Sequence, residues 1–258
     1  MIPLSPSDIY IAAFTARCEV RRHPGQPVVA QPGLHGLLAC AQDPLTRLLV
    51  TDDRALHALD ALLPGVRAGM IDVFAVATRC TALISGQPPW GAEALTAMSC
   101  ADLQAVPAIA LPKGLSLRPV RRRVTGDHAP DAVALEDAVA TAIRATPGIP
   151  ETPRALAGYL RSLPTAFSLL AAVDDGGAVR ATSGAGAFGP EATVIFVNTE
   201  PGWRGRGIGG AMTAAALRAA RDGGAHRAGL DASHAGLSIY LRLGFDVVGT
   251  LTRFSHPG

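Results

Sequence analysis

The sequence predicts an α/β (α+β) protein with a mixed, mostly antiparallel sheet flanked by helices, and three observations carry that prediction. Extended and helical patterns alternate through residues 1–112. Two helical stretches lie within residues 130–162, and three extended stretches, separated by turn residues, follow them. The last part of the chain has the order strand, helix and strand. Such alternation is typical of helices packed on a sheet. We expect a smaller N-terminal α/β domain over residues 1–112 and a second domain over residues 113–258.

In the first domain, residues 47–51 are apolar enough for a strand. Asp52 and Asp53 then supply side-chain acceptors for a helix that Pro64 and Gly65 end. Further extended segments are expected at 70–77, 81–84 and 94–100, with a loop at Gln87-Pro88-Pro89. A proline and a glycine at Leu111-Pro112-Lys113-Gly114 mark the domain boundary.

The second domain begins with a strand from Leu115 to Val120. We expect a helix from Pro130-Asp131 that stops before Pro147-Gly148, and a second helix from Thr152-Pro153 to about Ser162. Extended segments follow at 167–173, 178–188 and 191–199, and Asp174-Asp175-Gly176-Gly177 joins the first two as a hairpin.

The composition bounds the function. A chain of 258 residues with 48% hydrophobic residues can bury a real core, and its net charge of +2 argues against nucleic acid or an anionic membrane as the main partner. The four cysteines form no C-x-x-C pair, which favours buried thiols in a reducing compartment, and no metal-ligand spacing appears. Without a signal peptide or a membrane-length apolar run, we expect a cytoplasmic protein with no metal.

The stretch 194–218 organises the chain. An apolar strand leads through a short turn into Arg204-Gly205-Arg206-Gly207-Ile208-Gly209-Gly210, and an alanine-rich helix follows. Glycines let a backbone approach a ligand closely, and the N–H groups and dipole at a helix start favour a phosphate. A phosphorylated cofactor is therefore the first hypothesis.

Residues 204–209 fit the pattern Arg/Gln-x-x-Gly-x-Gly/Ala, and the C-terminal half resembles the GNAT superfamily of acyl-CoA-dependent N-acetyltransferases. A second block, Leu237-Ser238-Ile239-Tyr240-Leu241-Arg242-Leu243-Gly244-Phe245, is similar to that family's helix with a tyrosine and a Leu-Gly-Phe turn. The resemblance covers about residues 115–255, and the order and separation of the two blocks make it fairly specific. It implies transfer of an acetyl group from acetyl-CoA, as co-substrate, to a primary amine of a small molecule or peptide.

The resemblance also implies roles for individual residues. The pyrophosphate would lie on the N–H groups of residues 204–210, and the pantetheine arm along the end of the preceding strand. Tyr240 would protonate the departing thiolate, and Glu200 or Asp231 would accept the amine proton. Ser233 stands where many relatives carry an asparagine that touches the cofactor. The cofactor-binding residues implied are Val197, Asn198, Thr199, Arg204, Gly205, Arg206, Gly207, Ile208, Gly209, Gly210 and Ser233.

Other hypotheses stay open at this point. Gly205, Gly207 and Gly210 also satisfy Gly-x-Gly-x-x-Gly, with Asp231 about twenty residues on, as in NAD-dependent oxidoreductases. However, too few residues remain after Gly210 for the rest of a doubly wound sheet. A CoA-binding module without catalysis is the other alternative. The first domain is either a degenerate copy of the GNAT fold or an unrelated cap, residues 131–162 would select the acceptor, and a monomer or homodimer is expected.

Overall fold

A computed structural model describes residues 4–22, 24–41, 43, 45–87, 90–122, 131–146 and 152–256. The chain forms two compact units. The first comprises Met1–Ser99, Asp231–Leu237 and Asp246–Gly258, and the second comprises Cys100–Leu230 and Ser238–Phe245.

The helices and strands are listed in chain order. They are α1 (Pro6–Arg21), β1 (Val28–Gln31), β2 (Leu34–Leu37), β3 (Thr46–Val50), α2 (Leu56–Leu62), β4 (Gly69–Phe74), α3 (Thr78–Ser85), β5 (Gly91–Cys100), β6 (Leu115–Arg121), β7 (Val133–Ala134), α4 (Leu135–Ala145), α5 (Pro153–Ser162), β8 (Phe167–Asp174), β9 (Val179–Phe188), β10 (Glu191–Thr199), α6 (Ile208–Asp222), β11 (Arg227–Ala232), α7 (Leu237–Arg242) and β12 (Asp246–His256). Short 3₁₀ turns flank α2 and precede β6 and α6.

The sheet of the first unit has the order β1-β2-β3-β4-β12-β5. Strands β3 and β4 are parallel, and the other neighbours in that order are antiparallel. Alternate residues of β3 enter two separate cores. Leu48 and Val50 pack with the residues of α2 and α3, whereas Leu49 packs with α1. Both faces of this sheet are therefore covered, as its alternating apolar residues require.

Two segments of the first unit differ from the sequence prediction. Residues 81–84 lie in helix α3, so the expected extended segment is wrong. The carboxylate of Asp53 accepts hydrogen bonds from the N–H groups of Arg79 (3.0 Å) and Cys80 (3.1 Å) and so caps the helix, and Cys80 and Ile84 on one face of α3 are buried. The β1–β2 hairpin was not predicted, and Pro88-Pro89 lies outside the described residues.

The last strand joins the first unit. Strand β12 pairs with β4 along Leu251–His256 and with β5 along most of its length. Because of this pairing, Asp246–Gly258 belongs to the first unit, although it follows the second unit in the chain. The first division between the units comes after Ser99, whereas the predicted domain boundary is at residue 112. Residues 106–114 carry no strand or α-helix, and β6 begins at Leu115 as expected.

The sheet of the second unit has the order β11-β10-β9-β8-β6-β7, and the run from β10 to β6 is antiparallel. Helices α4 and α6 both pack on β9 and β10. The β8–β9 hairpin is confirmed, with Gly177 at φ 83° and the Asp174 carboxylate accepting from the Ala178 N–H at 2.9 Å. The expected mixed, mostly antiparallel sheet flanked by helices is therefore present.

The start of α4 differs from its prediction. Val133 and Ala134 pair in parallel with Val120 and Arg121, so the helix begins at Leu135 rather than at Pro130-Asp131. Pro130 and Pro147-Gly148 lie outside the described residues. Helix α5 begins at Pro153 and ends at Ser162, as its cap and first-turn proline predict.

The two halves of the chain repeat one order of elements. Three antiparallel strands (β1-β2-β3) are followed by α2, by β4 parallel to β3, and by α3 and β5. In the second half β8-β9-β10, α6, β11 parallel to β10, α7 and β12 follow in the same way. This order supports a degenerate copy of one fold in the first half rather than an unrelated cap.

Candidate functional site

Strand β10 is paired with β11 at one end only. Glu191–Thr193 lie in parallel register with Arg227–Gly229, and a bidentate ion pair between Glu191 and Arg227 (2.6 and 3.0 Å) holds this end. Beyond Thr193 the two strands have no further paired residues within the described chain. Residues 195–199 are half-buried. The second half of β10 therefore offers N–H and C=O groups to a ligand along that edge.

A bulge lies within the half of β10 that is paired with β9 but not with β11. Its register with β9 shifts between Ile195 and Asn198, and Phe196, at φ 62°, is the only non-glycine residue with positive φ in the described chain. The Thr182 hydroxyl donates to the Phe196 carbonyl (2.9 Å) and accepts from the Asn198 amide nitrogen (3.3 Å). A conformation this uncommon for phenylalanine is fixed by its surroundings and is frequent next to functional sites.

The loop between β10 and α6 presents unengaged N–H groups. Gly205 and Gly207 have φ of 75° and 79°, and no atom lies within 4 Å of where a Cβ would stand on either. No acceptor in the described part of the chain meets the N–H groups of residues 205–210, and no side chain caps α6. Together with the dipole of a 15-residue helix, these groups form an anion-binding concavity.

The two loop arginines brace the backbone beside this concavity. Arg204 donates to the carbonyl of Thr199 (Nε, 3.0 Å) and to that of Ala145 at the end of α4. Arg206 donates to the Gly202 carbonyl (3.0 Å) and lies 4.9 Å from the centre of the Trp203 ring. Both arginines are exposed, so their positive charges remain next to the concavity. Their contact with a diphosphate stays a prediction.

Helix α7 packs against the first turn of α6. A Cβ on Gly209 would lie 3.2 Å from Ile239 Cδ1, and one on Gly210 would lie 3.8 Å from Ile239 Cγ2. Tyr240 follows directly and is buried, with its ring at an edge-to-face angle to Phe245. The carbonyl of Tyr240 accepts from the N–H groups of Leu243 and Phe245, which closes the Leu-Gly-Phe turn. The two sequence blocks therefore meet in the structure.

Glu200 directly follows β10, and two arginines hold its side chain. Arg144 Nε donates to Oε1 at 2.7 Å, and Arg180 Nη1 donates to Oε2 at 2.9 Å. Burial works to raise the pKa of Glu200, but the hydrogen bonds and charges of Arg180 and Arg144 outweigh it and lower the pKa below its ordinary value. The carboxylate is therefore ionised at neutral pH and is a weak base.

The carboxylate of Asp231 is engaged by other side chains. Its side chain, 10% exposed, lies in the first unit, where it accepts from the Tyr10 hydroxyl and from Arg253 Nη2 (2.6 Å). Burial raises the pKa of Asp231, but the charges of Arg253 and Arg17 with these hydrogen bonds lower it overall. Arg253 also binds Asp72 bidentately, at 2.7 and 2.8 Å. These contacts make Asp231 part of a buried ionic cluster.

Ser233 lies exposed in the turn before α7. Its carbonyl accepts from the N–H groups of Gly236 and Leu237, at 3.0 and 3.1 Å, and so supports the start of that helix. Its contact with a cofactor stays a prediction. His226 and His234 are exposed.

The sequence did not reveal the residues that anchor the site. Arg144 and Arg180 hold Glu200, and the Thr146 hydroxyl donates to Asn198 Oδ1 at 3.0 Å. Each of these residues is at least twenty positions from its partner, so no local pattern signals the contact. The sequence does place a basic residue, Arg144, in the last turn of α4. However, the helix dipole favours a basic residue at that position in any helix, so it does not indicate the contact with Glu200.

The fold and the family comparison indicate an acyltransferase. Residues 139–245 match the model of the acetyltransferase (GNAT) family, which includes the glycine-arginine loop and the Tyr240 block. Residues 139–245 therefore form a GNAT-type acetyltransferase domain in the C-terminal half of the chain. The mainly antiparallel sheet of the second unit also excludes the doubly wound parallel sheet of a dinucleotide-binding domain.

Solved structures share the fold over 82–98% of this chain. A GCN5-related N-acetyltransferase from Kribbella flavida is 21% identical, with a TM-score of 0.64 over 97% of this chain and 96% of its own. One from Sphaerobacter thermophilus is 18% identical, with a TM-score of 0.55 over 98% and 93%. A tandem GNAT protein from the clavulanic acid biosynthesis pathway is 18% identical, with a TM-score of 0.50 over 82% and 74%. No curated protein matches the sequence.

Among the described residues, no helix is long and apolar enough to span a bilayer. Nor do the described His, Cys, Asp and Glu side chains form a group of three or more that could hold a metal ion. The four cysteines, all in described segments, form no disulfide.

Proposed function

We propose that the protein transfers an acetyl group from acetyl-CoA to a primary amine of a small molecule or peptide, by direct attack of the amine on the thioester. The GNAT match supports acetyl transfer in general. One observation carries the finer proposal: the unpaired half of β10 leads directly into a loop whose N–H groups, at the start of α6, meet no acceptor among the described residues.

The loop fits the diphosphate of the co-substrate. Phosphate oxygens would accept from the N–H groups of residues 205–210, where the helix dipole adds a favourable field. Positive φ at Gly205 and Gly207, with open space at their Cβ positions, allows close approach of the ligand. Arg204 and Arg206 add positive charge at the rim.

The edge of β10 fits the pantetheine arm. The N–H and C=O groups of Val197, Asn198 and Thr199 would pair with the arm's amides, as one strand pairs with another. An N–H at this edge would also polarise the thioester carbonyl, and such an oxyanion contact is typically worth about 3 kcal/mol. The bulge at Phe196 supports this role because it fixes the strand where the pairing with β11 has ended.

Tyr240 is the proposed general acid. A phenol with a pKa near 10 can hand a proton to a thiolate as the sulfur gains charge. The packing of Ile239 on Gly209 supports the role, since it fixes α7 against the proposed cofactor loop.

Glu200 is the proposed proton acceptor, acting through water. Because its two ion pairs lower its pKa, the carboxylate would assist only weakly, and the amine must reach the site largely neutral. We therefore expect turnover to rise with pH until the acceptor amine is deprotonated.

Calorimetry with acetyl-CoA, followed by thiol release across a panel of amines, tests this function. We expect one acetyl-CoA per chain and release of CoA thiol that depends on the amine. Absence of binding at ligand concentrations of about 0.1 mM, equivalent to a binding free energy weaker than about −5.5 kcal/mol, would defeat the proposal.

A second candidate function is that of a CoA-binding module without catalysis. The specific observation in its favour is that both oxygens of Glu200 are already engaged by arginines. A pure binder would bind acetyl-CoA in the calorimeter and release no thiol with any amine, so the same pair of measurements separates the two functions.

A further inference from the structure

Helices α4 and α5 of the second unit enclose a groove of about 510 Å³. This volume lies in the range of small-molecule sites, about 300–1,000 Å³. Its floor is apolar and includes Val139 and Ile143 from α4 and Ala157 from α5. Such a floor suits the hydrocarbon part of a small ligand.

Charged side chains line the two ends of this groove differently. At one end Glu136 and Arg161 form an ion pair. At the other end lie Arg144 and Arg154, eight residues from Glu136 and seven from Arg161 along their helices, or about 10–12 Å away at 1.5 Å per residue. Among the described residues, the second end therefore carries two guanidinium groups and no lining carboxylate.

One of these two arginines has no counter-charge in the described chain. Arg144 uses Nε for Glu200 and Nη2 for the Thr141 hydroxyl, at 2.7 and 3.0 Å. Arg154 is exposed, and no described carboxylate or carbonyl accepts from it. A guanidinium next to an apolar floor is suited to bind a carboxylate bidentately.

The end with the two arginines adjoins the end of β10. Arg144 binds Glu200, which directly follows the strand, and Thr146 binds Asn198 within it. An acceptor whose amine reaches the thioester at this strand would place its next few atoms beside Arg144 and Arg154.

We propose that the acceptor is an amine that carries a carboxylate close to its amino group and an apolar substituent, as an apolar α-amino acid does. Arg154, with Arg144, binds the carboxylate, and the floor of Val139, Ile143 and Ala157 takes the apolar substituent. This proposal rests on the proposed function and names the class of acceptor for it.

A matched series of acceptors tests the proposal with the full-length protein. Leucine, leucinamide, isoamylamine and the phosphonate analogue of leucine share the apolar part and differ in the anionic group. We expect kcat/KM, calculated on the neutral fraction of each amine, to be about tenfold or more higher for leucine than for leucinamide and isoamylamine, the usual size of a lost hydrogen bond to a charged group. If leucinamide and isoamylamine, which lack a carboxylate, are acetylated as efficiently as leucine, or if the phosphonate is preferred, the proposal is overturned.

Substitution of Arg154 supplies a second test. Arg154→Gln should raise KM for leucine by about tenfold, with kcat nearly unchanged and no effect on isoamylamine. Arg154→Glu should shift the preference from leucine towards 1,3-diaminopropane, because the site then carries a negative charge. Arg67→Gln removes an exposed arginine of the first unit, outside the groove, and serves as the charge-matched control. An equal effect on leucine and isoamylamine would contradict the assignment.

A binding measurement separates this proposal from the proposed function. Calorimetry of N-acetylleucine with the CoA-loaded protein needs no turnover. Binding that Arg154→Gln weakens supports the acceptor class even if no amine is acetylated, in which case only the catalytic proposal fails. Acetylation of neutral amines, without binding of N-acetylleucine, would overturn the acceptor class and leave the catalytic proposal standing.

Discussion

The corresponding loops of the two units treat a helix start in opposite ways. In the first unit, β3 leads into Asp52, whose carboxylate accepts from the Arg54 N–H (2.9 Å) at the start of the turn that enters α2. The neighbouring Asp53 accepts from the Arg79 and Cys80 N–H groups at the start of α3. In the second unit, β10 leads into the glycine-arginine loop, and the N–H groups of residues 205–210 meet no acceptor among the described residues. Side-chain carboxylates thus accept from backbone donors in one loop, whereas in the other loop the donors of residues 205–210 meet no described acceptor.

If the second unit binds acetyl-CoA as proposed, the difference explains why the first unit would not. A carboxylate at a helix start gains hydrogen bonds and a favourable dipole, but it takes the place of a phosphate and repels one. Asp52 is further held by the Arg54 guanidinium, at 2.7 and 2.8 Å, and its pKa is lowered to about 2 mainly by that hydrogen bond. We therefore expect one acetyl-CoA per chain, bound by the second unit.

The largest effect is expected from placing an acid in the open loop. Gly207 precedes α6 at φ 79°, a conformation that Asn and Asp tolerate better than other residues. Gly207→Asp puts a carboxylate at the start of α6, as in the first unit. At an effective dielectric of about 20, two charges about 4 Å apart repel by about 4 kcal/mol, so acetyl-CoA affinity should fall by at least about 100-fold in calorimetry.

Gly207→Asn is the matched control, since it has the same shape without the charge. It should weaken binding much less, and the ratio of the two dissociation constants measures the charge alone. Equal affinity of the Asp and Asn variants would show that the diphosphate does not lie at this helix start.

The next effect concerns the helices that follow. Helix α7 carries Tyr240, whereas α3, its counterpart in the first unit, has no tyrosine. Tyr240→Phe should lower kcat by about 100-fold, the lower range for loss of a general acid, with little change in acetyl-CoA affinity. Stopped assays of thiol release and calorimetry on the same sample check both parts, and unchanged turnover would remove Tyr240 from its role.

A smaller effect is expected from opening the closed loop. Asp53→Ala removes the acceptor for two N–H groups at the start of α3 and should destabilise the first unit by about 1–2 kcal/mol in urea unfolding. Asp53→Asn keeps a side-chain oxygen and should recover part of the loss. Calorimetry should still find one acetyl-CoA per chain, because this loop lacks the glycines of the second unit. A second equivalent bound would contradict the comparison.

The sequence predicted the elements that depend on local pattern. The glycine-arginine loop, the hairpin after β8 and the helix with Tyr240 have fixed spacings, and all are present. The prediction of an extended segment at residues 81–84 was wrong because a run of four mostly apolar residues fits a strand as well as a helix. The contact that favours the helix comes from Asp53, which lies 25 positions before Thr78 at the helix start.

Non-local contacts account for the rest. The pairing of β12 with β4 joins residues about 180 positions apart, as does the ion pair of Arg253 with Asp72. Asp231 shows the consequence for the site: its position in the sequence suits a base, but Tyr10, 221 positions away, and Arg253 engage its carboxylate. Spacing within one block carries no information on such partners.

The smallest expected effect is the pH dependence of the closed loop. Since the pKa of Asp52 is about 2 in the folded protein and near 3.8 when unfolded, its contribution to stability is complete above about pH 4 and is lost as the pH falls towards 2. The side chain is 30% exposed, so solvent screening keeps this contribution small. Urea unfolding of the wild type and Asp52→Asn should therefore give a stability difference that is constant from pH 5 to 7 and shrinks below pH 4. A difference that grows on acidification would mean that the ionised carboxylate does not stabilise this helix start. The two loops would then differ only in the glycines of the second one.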